Sequence, residues 1–437
     1  MNEEAVNQSK DTQNLAHESR WEHIGIFDMF DDGENLWFTS LEYNALFKMS
    51  KRTFDVDYVG SFPDEEAYGG RLYTSVNECN GKLYFTPCTA HEIGIYDMKN
   101  ECFEKGSIGI SRDDNDLLKI KYAKKFVSGF IYNNSLILIP CCYDCIIIYD
   151  IVTGEVTFKT DLFEYFYEKY RHYTTSPDAQ FYLCWFAKRL SESQIVFHLH
   201  CNRNILIIYN LETGGFKEQA IGSKKSTFSL VECDGSQVYL YEASTDTLVK
   251  WEMESGKYLE CHIAAQVPEL QPCGLEYSFL NMAVLGEWLY LIPANANVAV
   301  KVDTITLEAL SVDALSGECS IPYKGTVYLN LSRVSDNKLY LLGNRSKDLV
   351  VYGKDEDLQR IRLKPPKDIE NIIAEQFLAD LIRRSRCWFS EEHVPLTRFI
   401  NALVSLKTYE RCAGNRNIAV GNGDCRIYHL VKQKLLD

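Results

Sequence analysis

Short apolar runs flanked by polar turns recur along this chain at a nearly constant spacing. Seven of them are Leu36-Trp37-Phe38, Leu83-Tyr84-Phe85, Leu136-Ile137-Leu138, Ile195-Val196-Phe197, Val238-Tyr239-Leu240, Leu289-Tyr290-Leu291 and Leu339-Tyr340-Leu341. Their starts lie 47, 53, 59, 43, 51 and 50 residues apart. Around each run the pattern predicts four short strands. In the second copy these are Arg71–Val76, Lys82–Pro87, the alternating Ile93–Asp97 and Phe103–Ile108. Asn80-Gly81 joins the first two, and Asn-Gly is a strong hairpin signal because both residues accept positive φ. Units of about 40–50 residues holding several strands each indicate propeller blades. The expected fold is all-β, a seven-bladed β-propeller of four-stranded antiparallel blades, followed by a C-terminal helical tail.

A second periodic feature follows the third strand of several copies. It reads Asp150-Ile151-Val152-Thr153-Gly154 in blade 3, Asn210-Leu211-Glu212-Thr213-Gly214 in blade 4 and Glu252-Met253-Glu254-Ser255-Gly256 in blade 5. An Asp or Asn that caps its own turn, followed by a Gly that accepts positive φ, meets the needs of a tight hairpin. This Asp-x-x-Thr-Gly turn resembles the repeat of the quinoprotein-like and WD40-like propeller superfamilies, over roughly Trp21 to Lys364. The resemblance implies the fold alone. The chain lacks a Trp-Asp dipeptide closing each blade, a Gly-Gly pair in every blade and a repeated docking Trp, so no cofactor carries over.

The ends of the repeat set the expected organisation: an arm over residues 1–20, the propeller over 21–364 and the tail over 365–437. His23–Met29 is placed as the first strand of blade 1 and Leu358–Leu363 as the last of blade 7. Each blade then comes from contiguous sequence, and ring closure rests on packing rather than on a shared blade. After Lys364-Pro365-Pro366, apolar residues from Ile369 to Leu381 recur at helical spacing with Asp368 as a candidate cap. Leu396–Leu406 and Asp424–Leu436 read as further helices. In the linker between blades 3 and 4, Phe163, Phe166, Tyr167 and Tyr170 fall on one helical stripe, either packed on the rim or offered as an aromatic platform.

Charge narrows the function. A net charge of −15 argues against nucleic acid as a partner and against docking on anionic membranes. The polar first 20 residues hold no apolar core of a secretory signal, and no run approaches the length of a membrane-spanning helix. The 15 cysteines, many within apolar strands, read as small buried hydrophobes in a reducing compartment. A cytoplasmic location is expected.

In a propeller, the loops between strands two and three and those between blades gather around one mouth of the central channel. This face is expected to carry Glu42, Tyr43 and Asn44 from blade 1, His91 and Glu92 from blade 2, and Tyr143 and Asp144 from blade 3. It continues with His200, Asn202 and Arg203 from blade 4, Glu242 and Ser244 from blade 5, Asn295 and Asn297 from blade 6, and Asn344 and Arg345 from blade 7. Polar groups converging from loops on a rigid scaffold are a common way to build a binding site.

Three stretches invite a metal, of which His91-Glu92 is too short to be specific. Cys142-Tyr143-Asp144-Cys145 has the CxxC form but no second pair, and His198-Leu199-His200 would need a third ligand. No metal and no cofactor are expected. The chain has no G-x-S-x-G elbow, phosphate-binding loop or H-E-x-x-H motif. The expected function is a non-enzymatic binding or scaffold propeller that recognises a protein, peptide or glycan-like ligand at the channel mouth. The alternative is a propeller enzyme acting on a carbohydrate or peptide through His91, Glu92, Asp144, His198 or His200.

Overall fold

The computed structural model describes residues 21–109, 124–170, 182–200, 204–223, 226–271, 278–319 and 326–388. They fall into two compact units. One contains residues 23–65 and 69–366; the other contains residues 21–22, 66–68 and those from 367 onward.

The first unit is a seven-bladed β-propeller. Each blade is a four-stranded antiparallel sheet, spanning 29–60, 73–106, 126–159, 187–220, 228–262, 279–312 and 328–362. In every blade the four strands are consecutive in sequence and paired in that order. The blade 2 strands are Tyr73–Cys79, Lys82–Pro87, Ile93–Asp97 and Cys102–Gly106, close to those expected. Blade 1 differs: its first strand is Met29–Asp31, with Met29 opposite Phe38, while Gly25, upstream, hydrogen-bonds through its carbonyl to Leu41. The predicted strand was placed too early because His23 to Phe27 are as apolar as a strand, yet they serve as a lead-in to the mouth loop.

The apolar anchors are the second strands. Lys82–Pro87, Ser135–Pro140 and Lys338–Gly343 are buried at every position but the first. Such a strand has a neighbouring blade on each face, which is why it reads as a continuous apolar run rather than an alternation. The fourth strands form the outer edge and are mostly exposed, as in Tyr258–His262 and Leu358–Arg362. Core clusters sit between successive blades. One joins Val76, Leu83 and Phe85 to Trp37 and Leu46, and another joins Leu291 and Val300 to Tyr241 and Leu248. Each fully buried anchor side chain contributes on the order of 1.5–3 kcal/mol.

The turns obey the sequence. Asn80 and Gly81 lie at φ 54° and 79°, and the equivalent pairs Asn133-Asn134 and Asp336-Asn337 are also both positive. After the third strand, the Asp150 carboxylate accepts the N–H groups of Val152 (2.8 Å) and Thr153 (2.7 Å), and Gly154 sits at φ 74°. Asn210 does the same for Glu212 and Thr213, with Gly214 at φ 71°. Asp97 and Asp303 repeat the cap, but Glu101 and Leu307 occupy the glycine position at φ 51° and 60°.

Because no blade mixes strands from the two ends of the chain, side chains close the ring. Lys51 of blade 1 bonds Asp31 (2.7 Å) in its own blade and also Asp336 of blade 7. Burial pulls its ammonium pKa down, but the bonds to the two carboxylates outweigh this and hold it above the ordinary lysine range. Deeper in, Asp28 of blade 1 accepts the Val76 N–H of blade 2 (3.0 Å) and lies 3.8 Å from the Arg333 guanidinium of blade 7.

In the second unit, the tail helix spans Ile369–Trp388, with the Ile372 N–H on the Asp368 carbonyl at 3.0 Å. Phe377 rests on Tyr68, ring centres 5.1 Å apart, and Tyr68 meets Trp21 edge-on at 6.4 Å. The helices expected at Leu396–Leu406 and Asp424–Leu436 lie outside the described residues, as does the arm. No helix among the described residues is long and apolar enough to cross a membrane.

Candidate functional site: the channel and its mouth

Loops between strands two and three bond to the segments that enter the next blade. The Arg71 N–H donates to the Leu41 carbonyl, Lys125 to Cys88, Leu183 to Cys141 and Val327 to Ala294. These bonds put the two loop sets on one face, the mouth.

Most of the expected site residues take part in this stitching. Asn44 is buried, donates to the Phe62 carbonyl (2.9 Å) and accepts the Phe62 N–H (2.9 Å). Tyr43 is fully buried, with its ring edge-on to Phe47. Glu42 accepts the Gly25 N–H. In blade 2 a residue absent from the expected set is central: the buried Glu65 carboxylate accepts the His91 N–H (2.6 Å), the Glu92 N–H (3.1 Å) and lies 3.1 Å from His91 Nδ1. Glu92 accepts from the Ile108 N–H at 3.0 Å. Glu242 binds the Thr227 N–H and Thr245 hydroxyl, while Ser244 lies in the same loop. Asn297 clamps Gln271 and Glu269. Asn295 donates its N–H to the Ser278 carbonyl. Asn344 donates to Thr326, and Arg345 donates to the Cys319 carbonyl (2.7 Å) above the buried Glu318. Asp144 is exposed and Tyr143 packs on Phe126 at 5.2 Å. Asn202 and Arg203 lie outside the described residues.

The seam of blades 7 and 1 holds a cleft of about 240 Å³ at the mouth, where Asn344 and Glu42 meet with His23, Arg71 and Lys347. At blade 4 the aromatic residues converge. Tyr182 stacks on Trp185 with ring centres 5.0 Å apart and 20° between planes. The Trp185 indole N–H donates to His200 Nδ1 at 2.6 Å, and the imidazole stands edge-on to both rings. An Nδ1 that accepts leaves the neutral ring's proton on Nε2, and a doubly protonated ring cannot accept this bond.

Trp185 also walls the larger cavity. This occupies the central channel, about 430 Å³, and is lined by the first strands of the blades and the residues leading into them. The lining runs from Lys124 and Trp185 at the mouth ends to Asn77, Phe130 and Arg189 further along the same elements. Sequence reasoning placed the site in the loops and missed these positions. The signal was present in polar residues set into first strands, as in Thr74-Ser75-Val76-Asn77 and Ser332-Arg333, where a blade core would call for apolar ones.

Among the described cysteines Cys102 is exposed and Cys79, Cys233 and Cys319 are half-buried, while the rest whose burial is described are buried. Cys141, Cys142, Cys145 and Cys184 are free and buried, and burial pushes the Cys142 and Cys145 thiols up to about 12. His198 is buried at the end of its strand, whereas His200 lies in the loop beyond. Among the described residues no three His, Cys, Asp or Glu side chains gather as a metal site. The aromatic linker segment forms the helix Asp161–Tyr170, whose Leu162, Phe166 and Tyr170 are buried; Phe163 and Tyr167 pack against the same core, and Tyr165 is exposed.

Comparison with known protein families finds no match, and no curated protein matches the chain. Solved structures do match. A catalytically inactive virginiamycin B lyase from Staphylococcus aureus, solved with quinupristin, aligns with a TM-score of 0.51 at 13% identity, covering 76% of this chain and 94% of the lyase. A selenomethionine form of virginiamycin B lyase from Staphylococcus aureus gives 0.51 at 12%, covering 75% and 94%. PorZ of Porphyromonas gingivalis, a component of the type-IX secretion system, gives 0.46 at 9%, covering 79% of this chain and 39% of PorZ. At such identities the likeness is one of architecture, and the chain is a seven-bladed β-propeller similar in fold to the two lyase structures.

Proposed function

We propose that the protein is a binding propeller that recognises a peptide or glycan-like ligand at the mouth of its channel, without performing chemistry on it. The supporting observation is the Tyr182–Trp185–His200 cluster, which sets two stacked ring faces and an imidazole at the rim of a cavity. Aromatic faces beside hydrogen-bonding groups suit sugar rings and the apolar or cationic side chains of peptides. The mouth loops are stiffened by their own stitching, so a ligand meets a pre-formed surface and less ordering entropy is lost on binding.

The test is a binding screen of the full chain against immobilised oligosaccharides and peptides, read by interferometry. A hit weakened about tenfold or more in Tyr182→Ala and His200→Ala supports the reading. A hit indifferent to both variants moves the site elsewhere on the surface.

One observation favours a second reading, a hydrolytic or lyase activity on the same ligand classes. Glu65 holds His91 by Nδ1, the arrangement of a carboxylate-oriented general base. Turnover of a screened ligand that disappears in His91→Gln would establish it in place of the binding reading.

A further inference from the structure

The channel cavity differs in charge from the protein as a whole. The chain carries a net charge of −15, yet among the described residues the cavity is lined by four basic ones, Lys124, Lys188, Arg189 and Arg333, against the single carboxylate of Asp28. Lys188 is matched to Glu232 at 2.7 Å, and Arg333 lies beside Asp28 at 3.8 Å. The Arg189 guanidinium is held by the Ile131 and Glu192 carbonyls. Lys124 and Arg189 thus leave the wall basic. Burial also raises the Asp28 pKa from its ordinary value, against the lowering effect of Arg333.

Between these charges the wall is aromatic, with Phe27, Trp185 and Phe186 all partly exposed to the cavity. Two polar atoms of lining residues, Asn77 Nδ2 and Ser332 Oγ, are buried with no hydrogen-bond partner among the described residues. Buried polar groups are ordinarily satisfied, and orphaned ones inside a cavity mark where a guest or water supplies the missing partner. A volume of about 430 Å³ lies within the usual range for small-molecule sites.

We infer that the central channel is a second binding site, for a small anionic molecule carrying an aromatic or otherwise planar ring, such as an aryl phosphate or aryl carboxylate. The anion sits among Lys124, Arg333 and Lys188, and the ring lies against Trp185 and Phe186. Inside the cavity these contacts are less screened by solvent than they would be on the open surface. The inference shares only Trp185 with the mouth-face reading.

The experiment titrates the full chain with phenyl phosphate, with benzylammonium as the probe of opposite charge and inorganic phosphate as the probe without a ring. Calorimetry and tryptophan fluorescence report binding. The expected result is saturable phenyl phosphate binding, at least about tenfold tighter than either control, and weakened by about tenfold or more in Arg333→Gln. Lys124→Gln is the second variant, since no carboxylate is paired with Lys124 among the ion pairs of the described residues, and it is expected to weaken binding with an unchanged thermal melt. The inference is overturned if phenyl phosphate does not bind, if benzylammonium binds as tightly, or if neither variant alters affinity. Phenyl phosphate binding with no oligosaccharide or peptide hit leaves the channel site standing and removes the mouth-face reading; the reverse removes only the channel site.

Discussion

Glu65 and Asp150 are both carboxylates that accept two backbone N–H groups, but at opposite ends of the blades. Asp150 caps residues two and three positions ahead of it, in an exposed turn. Glu65 is 3% exposed and caps residues 26 and 27 positions away, in the loop of the blade it precedes. The same contrast runs around the ring: Asn210, Asp97 and Asp303 bond locally, whereas Asn44, Asn297 and Asn344 bond across 18 to 28 positions. The Asp and Asn caps at the far turns stay within one blade, where lysine side chains such as Lys51 make the crossings; at the mouth the caps themselves reach toward the next blade.

The sharpest test of this difference removes one carboxylate from each set. Glu65→Leu leaves two part-buried N–H groups and one imidazole without their carboxylate, and is expected to cost about 3 kcal/mol in a urea melt. Asp150→Ala, where water replaces the lost acceptor, is expected to cost clearly less than Glu65→Leu. Equal losses would erase the distinction. Gly154→Val and Gly214→Val come next, at about 1–2 kcal/mol each. An added Cβ at Gly154 has room, its nearest neighbour being the Tyr149 hydroxyl at 3.8 Å, so the cost lies in the positive φ. Both are expected to leave ligand specificity unchanged. Glu101→Gly reverses the sign, relieving the exposed φ of 51° and raising stability by about 1 kcal/mol or less in the same melt.

The smallest effect is on pH dependence. Backbone N–H groups from Thr153 and Val152 hold Asp150 below the ordinary carboxylate range, and those of Asn100 and Thr306 lead the same effect on Asp97 and Asp303. A depressed folded pKa contributes stability above the unfolded value of about 3.9 and loses it as pH falls through the folded value. Asp150→Asn keeps the cap, as Asn210 shows, and is expected to flatten the decline of the urea midpoint below about pH 4. Asp28 runs the other way: burial raises its folded pKa, so its contribution declines as pH climbs from the unfolded value through the folded one. Asp28→Asn is expected to remove that slope.

The contrast explains how much was legible in sequence. The blade strands and far turns follow from patterns within about ten residues, such as Asn80-Gly81 or Asp150 to Gly154, and they appear almost as read. Loop membership at the mouth was equally legible, since His91, Asn297 and Asn344 fall where the strand count places them. Their partners were not, because Glu65 meets His91 only after two blades have packed. Leu307 shows the limit from another side: it occupies a glycine position at φ 60° because its side chain, 7% exposed, belongs to the core between blades 5 and 6. The channel lining was missed for a similar reason, since Asp28, Asn77, Lys188 and Arg333 come from four blades and share no local spacing.

The order of strands within the blades bears on how the protein is made. Every sheet is complete once its own stretch of about 35 residues has left the ribosome, so no early strand waits for the far end of the chain. The blades can be laid down in sequence, each docking on the one before it. The joint of Lys51 with Asp336 and of Asp28 with Arg333 forms last, when blade 7 arrives beside blade 1. That joint is built from charges, and a ring fastened in this way is one whose final step, and whose first opening, respond to salt.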